Sequence, residues 1–526
     1  MPTSMSVQVF RTSRNAGKNG MPEHLADQGT LMISNGAPPT GVTTVAVDLT
    51  KPRQTVVGFG AAITEAVASV VNALPADKQT EILNAYYGTD GSGYTLTRTH
   101  IGSCDFALSQ YSYDDNNGQP DPTLANFSIA HDNQLLLPFL KRAIAASNGA
   151  LRVLSSPWSA PGWMKDNGVM QGNGSDGSLL PQYYGAYASY LSKYIQAYKA
   201  AGVPIWAITP QNEALGVGGS REGMQWTPDQ MNTFIKQNLG PQLMTDGVGD
   251  TKVFIYDHNA GPPGSDVVNW PTMMEKDTAT SPFIAGTAVH WYGTTYETFD
   301  DSMDAIQNVD QSKQIIFTEG CDDALGDTGY GQSSASFKYS WMSDEFYWTK
   351  DEGDWGFWFI ASSDPTKADH PKYEPFYRYT RQLIAGLNHW HVGFIDWNAV
   401  LNKDGGPGHI VNAVAAPVMV DQAANTVYYS PTYYALAHFS KYIRPNAQVL
   451  TTTVTLGPGV TPTDYDGMPT QDGNALMATA AKNTDNSVSI VLFNETNMAI
   501  NYAVTLGTGS VSGMIPSQSL ETLVWK

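Results

Sequence analysis

Along most of this chain apolar residues arrive in two rhythms. Short, nearly continuous apolar runs occur at Val56–Thr64, Thr95–Gly102, Leu151–Ser155, Ile205–Thr209, Lys252–Tyr256, Thr287–Trp291, Gln314–Thr318 and Val392–Asp396. Runs of this length and content predict strands buried on both faces, as in a parallel sheet. The stretches between them are long enough for helices, and several carry the helical period. Pro181–Lys199 places Tyr184, Tyr187, Leu191, Tyr194 and Tyr198 on one face, and Gly202 ends it. Ser430-Pro431 offers a capping residue followed by proline at the first helical position, and Tyr434, Ala437, Phe439 and Ile443 then face one way. Eight such units predict a (β/α)8 barrel with enlarged loops. One run, Trp355–Ile360, competes for the eighth strand. Tyr373–Leu387 reads as the helix before Val392, so Val392–Asp396 is preferred, and the segment from Asp322 to Tyr373 becomes a long loop on the active-site face.

The rhythm differs at both ends. Val7–Phe10 is a short β-run, and Val42–Leu49 alternates through Val45, Val47 and Leu49, with a polar Gly/Pro-containing segment between the two. Beyond Arg444-Pro445 the helical period stops. Leu476–Ala481 and Val488–Phe493 flank the polar turn Lys482–Asn486 and read as a hairpin, followed by strands at Asn501–Leu506 and Ser519–Trp525. At 526 residues the chain exceeds one ordinary core. The division expected is 1–52 for N-terminal strands, 53–444 for the barrel, and 445–526 for a small β-sandwich that the N-terminal strands complete.

Candidate chemistry sits where the strands stop, because the carboxyl ends of barrel strands line one pocket. Ile205-Trp-Ala-Ile-Thr-Pro-Gln-Asn-Glu213 ends on an amide beside a carboxylate, and Gln314-Ile-Ile-Phe-Thr-Glu319 ends on a second carboxylate. Two glutamates facing one cleft are the equipment of a glycoside hydrolase. The full set read from the strand ends is Glu65, Asp105, Trp158, Asn212, Glu213, Asp257, His290, Tyr292, Glu319 and Trp397. Asp257, His258 and His290 hold no zinc spacing and read as hydrogen-bonding partners around the pocket rather than metal ligands. Gly58-Phe-Gly60 is an incomplete dinucleotide pattern. No cofactor and no metal are expected.

Composition narrows the partners. A net charge of −20 argues against nucleic acid and anionic membranes, and 13 Trp with 27 Tyr mildly favour a carbohydrate ligand. No apolar run reaches the length of a membrane span. Two cysteines, Cys104 and Cys321, each following a strand, read as buried thiols rather than a bridge. The N-terminus shows no signal peptide, which fits a secreted or periplasmic protein whose leader has been removed, or a cytoplasmic one.

The chain resembles glycoside hydrolase family 30, and within it the glucosylceramidase-like branch. The residues that carry the resemblance are Val57-Gly-Phe-Gly-Ala-Ala-Ile-Thr-Glu65, Arg98-Thr-His-Ile-Gly-Ser-Cys-Asp105, Ser155-Ser-Pro-Trp158-Ser-Ala-Pro-Gly-Trp-Met-Lys-Asp-Asn167, Thr209-Pro-Gln-Asn-Glu213, His290-Trp-Tyr292, Phe317-Thr-Glu319-Gly-Cys321 and Asp396-Trp397-Asn398. Leu401-Asn-Lys-Asp-Gly-Gly-Pro407 and Tyr433–Lys441 follow in order. The resemblance implies a TIM barrel with a side β-sandwich and a retaining enzyme that takes a carbohydrate or glycolipid substrate without a cofactor. It implies Glu213 as acid/base and Glu319 as nucleophile, with Asp105, Trp158, Asn212, Trp397 and Asn412 on the sugar and His290 and Tyr292 supporting the carboxylate pair. The activity it points to is a β-glucosidase of the glucosylceramidase type. Within the family an endo-β-1,6-glucanase, then a β-xylosidase, are the alternatives, and outside enzymes a carbohydrate-binding protein. Two departures lie beside the leaving-group side: family members often have proline after the acid/base, where this chain has Ala214-Leu-Gly-Val-Gly-Gly, and the stretch from Asp322 to Tyr373 carries no motif that matches the family.

Overall fold

The computed structural model describes residues 6–172, 175–218, 221–294, 297–322, 341–349, 374–410, 412–463 and 475–526. The run Trp355–Ile360 and most of the Asp322–Tyr373 segment therefore lie outside the described residues. The chain opens with four strands, β1 (Ser6–Ser13), β2 (Glu23–Met32), β3 (Ser34–Asn35) and β4 (Thr43–Thr55). The polar segment expected to link two short strands thus contains the ten-residue β2. It lies at the edge of its sheet with mostly exposed side chains, so no apolar alternation marks it. Backbone pairing with β1, broken by two register shifts, holds it there instead.

Eight parallel strands follow: β5 (Gly58–Ala61), β6 (Leu96–Ile101), β7 (Arg152–Pro157), β8 (Ile205–Ile208), β9 (Lys252–Asn259), β10 (Gly286–His290), β11 (Gln314–Glu319) and β12 (His391–Asp396). They close in chain order, and β12 pairs back onto β5 through Gly393 with Gly58 and Asp396 with Ala61. All eight expected strands are present, and the eighth is the one chosen over Trp355–Ile360. The barrel interior is plugged by Leu96, Leu154, Ala207, Phe254, Ala288, Ile316 and Ile395, every one of them fully buried. A filled interior is what makes the barrel a rigid platform instead of a pore. The tyrosine stripe lies on the helix Tyr184–Ala200 and is packing that also fixes strand ends. Tyr194 donates to Ser155 Oγ at 2.9 Å, and Tyr187 donates to the Pro210 carbonyl at 3.2 Å, just before Asn212 and Glu213.

Past the barrel come a small sheet of β13 (Val400–Asn402), β14 (Val418–Asp421) and β15 (Thr426–Tyr429), then the helix Pro431–Ser440. Six strands end the chain: β16 (Gln448–Thr455), β17 (Leu476–Lys482), β18 (Val488–Asn494), β19 (Ile500–Leu506), β20 (Gly509–Ile515) and β21 (Ser519–Trp525). The expected hairpin is β17–β18, paired from Leu476–Asn494 to Lys482–Val488. Strands from both chain ends form one ten-stranded sheet in the order β2-β1-β21-β18-β17-β16-β4-β19-β20-β3. It folds over a core containing Val7, Val45, Leu450, Ile490, Val504, Val511 and Leu523, and β2 comes back against β20.

The helix Pro431–Ser440 joins the two units. It packs on β5 of the barrel and on β1, β2 and β21 of the sheet. His438, fully buried on it, bonds to Thr522 Oγ1 at 2.8 Å and Thr12 Oγ1 at 2.9 Å, one residue from each end of the chain. Phe439 faces the barrel, 6.2 Å from the Phe59 ring. Phe439→Ala should cost about 3–5 kcal/mol, the usual toll of emptying a buried aromatic site. It should appear in urea unfolding as a lower midpoint with the same slope.

Candidate active site

The site is built on Arg98, a fully buried arginine on β6. Its Nε donates to Ser156 Oγ at 3.1 Å, and Nη2 donates to Asn212 Oδ1 at 2.6 Å and to Asp257 Oδ2 at 2.9 Å. Its Nη1 donates to Glu319 Oε2. These partners come from the ends of β7, β8, β9 and β11, so one guanidinium ties four strand ends together. Asp257 answers it with a full set of acceptors filled: Oδ2 also takes Thr209 Oγ1 at 2.6 Å and Ser156 Oγ at 3.0 Å, while Oδ1 takes Thr318 Oγ1 at 2.6 Å and His290 Nε2 at 2.9 Å. Burial alone raises a carboxyl, but Arg98, then His290 and the hydroxyl donors, overwhelm that and hold Asp257 far below the ordinary carboxylate range.

Local backbone geometry aims these groups. Between Tyr256 and His258 the pairing of β9 with β10 slips by one residue, leaving Asp257 as the extra one. Tyr256 and Asp257 both take positive φ, 74° and 47°. Glu213 is also left-handed, at φ 52°, and its N–H donates to the Asp257 carbonyl at 2.7 Å. Non-glycine residues rarely adopt this region, and such strain collects at functional sites. Gly320 follows Glu319 because a Cβ there would fall 2.6 Å from the Trp291 ring and 2.8 Å from Phe317.

Above this base lies a cavity of about 170 Å³. Asp105, Trp158, Glu213, Tyr292, Glu319, Trp397 and Asn412 all line it, so seven of the expected residues meet. Trp158 and Trp397 stack with ring centroids 5.2 Å apart, and the Arg98 guanidinium lies 4.9 Å from Trp158. Asn412 donates to Asp105 Oδ2 at 2.5 Å. Tyr292 meets Cys321 across 3.3 Å, and both cysteines are buried.

Other expected residues stand behind the wall. Asn212 takes the Arg98 bond on Oδ1, and its Nδ2 sits 3.5 Å from Glu213 Oε2. His290 is fully buried against Asp257. Glu65 is not a pocket residue: β5 ends at Ala61, Thr64 caps a helix that begins at Glu65, and the carboxylate takes Leu108 N–H at 2.8 Å and His131 at 2.9 Å. Among the described residues no group of three or more His, Cys, Asp and Glu is placed to hold a metal.

Arg221 was not singled out by the sequence, since it follows the Gly-rich run after Glu213 with no periodicity to flag it. It enters the cavity with Nη2 at 3.0 Å from Glu213 Oε2 and Nη1 at 4.0 Å from Asp105 Oδ2. The two glutamates therefore differ in surroundings. Burial raises Glu213, but Arg221, then His258, His290 and Arg98, pull it below its ordinary value. Burial also raises Glu319, and there the pull of His290 and Arg98 is not enough, because the charges of Glu213 and Asp105 push the same way as burial.

Residues 56–347 and 360–443 match the glycosyl hydrolase family 30 TIM-barrel domain, and residues 466–523 match the family's β-sandwich domain. A putative glucosylceramidase 3 from Caenorhabditis elegans is 30% identical over 492 residues, 92% of this chain and 82% of the relative. An endo-1,6-β-D-glucanase from Neurospora crassa is 30% identical over 481 residues, 90% of this chain and 85% of the relative. The crystal structure of SrfJ from Salmonella typhimurium superposes with a TM-score of 0.79 at 23% identity, covering 99% of this chain and all of that one, a likeness of fold.

Removing Arg98 strands two buried carboxylates, so Arg98→Met should destabilise the protein by about 3–5 kcal/mol in urea unfolding. Arg98→Lys should recover only part of this, because an ammonium cannot span four strand ends. The acid limb has a definite sign. A depressed carboxyl contributes stability that is complete above its unfolded value near 4 and is lost as pH falls below it. Asp257→Asn should therefore lose less stability than the parent between about pH 4 and pH 2.

Proposed function

The chain belongs to glycosyl hydrolase family 30 and is a glycoside hydrolase, and we propose that it removes terminal β-glucose with retention of configuration by double displacement. The observation that carries this reading is the pair Glu213 and Glu319, two buried carboxyls on one cavity with a different arginine against each. In this reading Glu319 attacks the anomeric carbon and Glu213 protonates the departing oxygen, then activates the water that releases the sugar. Arg98 holds Glu319 in place and favours its charged form. Asn212, whose Nδ2 lies 3.5 Å from Glu213 Oε2, is read as the partner of the sugar 2-hydroxyl, a bond that strengthens as the oxocarbenium-like transition state forms. Asp105 with Asn412 offers a charged acceptor to another hydroxyl, and the Trp158–Trp397 stack bounds the ring.

Exo action is supported by size. About 170 Å³ is small beside the roughly 300–1,000 Å³ of pockets that take drug-sized ligands, and suits a single ring. A pocket that hydrogen-bonds its sugar discriminates strongly at the ring, since a missing hydroxyl strands a buried partner, while an apolar leaving-group surface discriminates by only about 1–3 kcal/mol per methylene. Aryl, alkyl and lipid β-glucosides are all expected substrates. An endo-β-1,6-glucanase is the second reading, favoured by the Neurospora relative being as similar as the glucosylceramidase.

Three measurements test this. Glu319→Gln should lose at least about 10⁴-fold in kcat, as loss of a nucleophile does, and a 2-deoxy-2-fluoro-β-glucoside should label Glu319 in the parent; a label elsewhere overturns the assignment. Glu213→Ala should lose far more activity on alkyl than on activated aryl glucosides, and azide should restore turnover with net retention. Products from β-1,6-glucan decide the action: glucose alone supports exo cleavage, whereas mixed oligosaccharides with little aryl glucosidase activity support the endo reading.

A further inference from the structure

The acid step needs a proton on Glu213, yet the structure places a cation against it. Arg221 Nη2 lies 3.0 Å from Glu213 Oε2, a contact that favours the carboxylate. The same guanidinium reaches toward Asp105, 4.0 Å away. It thus spans the acid and a charged group read above as a sugar ligand, across the space a sugar ring would enter.

Among the described residues near Arg221, Val217, Gly218 and Glu222 are anchored. The Asp176 carboxylate accepts from the N–H groups of Val217 and Gly218. On the other side Glu222 is fully buried, accepting from Ser103 Oγ at 2.6 Å and standing 3.1 Å from His409 Nε2. The Arg221 side chain itself is 18% exposed, unlike Arg98. A long side chain facing the cavity has the rotatable bonds to leave its carboxylate by turning about them.

Resting on the reading of Glu213 as the acid, we infer that Arg221 is a positioning residue that keeps Glu213 ionised while the site is empty, and that the sugar which takes over Asp105 displaces it. Glu213 then takes one proton from solvent, so formation of the acid is tied to substrate entry. The order of charges fits this. With Arg221 against it Glu213 is the carboxyl pulled down, and Glu319 is the one pushed up. Withdrawal of Arg221 and protonation of Glu213 remove both the pull on one and the repulsion on the other, which gives the order that double displacement needs.

The groups facing Glu213 are Arg98 from β6, Asp105 after it, Asp257 and His258 from β9, His290 from β10 and Glu319 from β11. All remain in Arg221→Gln, so that variant isolates one charge. The first readout needs no substrate: infrared titration of the free enzyme, with the Glu213 carboxylate band identified by its loss in Glu213→Gln. In Arg221→Gln this band should titrate about one pH unit or more above the parent, and in Arg221→Lys close to the parent. An unshifted band in Arg221→Gln overturns the proposal.

The second readout is kinetic, on an alkyl β-glucoside. The alkaline limb of kcat/KM reports the free enzyme and that of kcat reports the complex. In the parent the kcat limb should lie at higher pH, and in Arg221→Gln the two limbs should coincide. Coincident limbs in the parent overturn displacement by substrate. Failure of the acid/base reading itself would show separately, as Glu213→Ala without azide rescue.

Discussion

Everything at the mouth of this barrel depends on a positive charge buried with no access to water. Placing the Arg98 guanidinium at zero exposure carries a desolvation cost of several kcal/mol, which the adjoining carboxylates of Asp257 and Glu319 offset only because the geometry is complete. Five donor and acceptor contacts on Asp257 and four on Arg98 leave this cluster no alternative arrangement. Buried ion pairs replaced by well-packed apolar side chains of similar volume often lose no stability, so stability alone does not account for the charge. What the charge provides is placement: it fixes one oxygen of Glu319 and one of Asn212 from a single planar group, and so sets the spacing between the two strand ends that carry the glutamates.

That placement also explains where the chain tolerates strain. Glu213 and Asp257 are both left-handed and are joined by a backbone hydrogen bond of 2.7 Å. The bulge that makes Asp257 the odd residue of β9 turns its carboxylate to Arg98, and the same distortion presents its carbonyl to Glu213. Local preference loses to the requirement that three charged groups meet, as expected where function rather than folding sets the geometry.

The fold was legible because barrel strands are buried on both faces and read as apolar runs. Their ends then named most of the pocket without any coordinates: Asp105, Trp158, Glu213, Tyr292, Glu319 and Trp397 all line it. Glu65 was misplaced because strand periodicity says where a run is apolar, not where pairing stops, and β5 stops three residues before the end of its run, for a helix cap at Thr64. The edge strand β2 was invisible for the opposite reason: its side chains are solvated and only its backbone is paired. Arg221 left no trace either. It lies in a turn-rich loop, and its role comes from where Asp176 and Glu222 hold that loop, which are contacts over 42 and 119 residues of sequence.

The two arginines divide the electrostatic work by their mounting. Arg98 sits on a strand, inside the barrel rim, with partners on three other strands and in the turn after a fourth, and it cannot leave Glu319 without unravelling the cluster. Arg221 sits on a loop with its head in the cavity and touches Glu213 from the open side. A nucleophile has to be charged when it attacks and again when the ester it forms is cleaved, and a fixed cation suits it. An acid/base has to gain a proton and later give it up, and a cation that stays would oppose the first half of that cycle. A partner able to withdraw lets the charge of Glu213 follow the occupancy of the cavity, while the cation beside Glu319 stays with the fold.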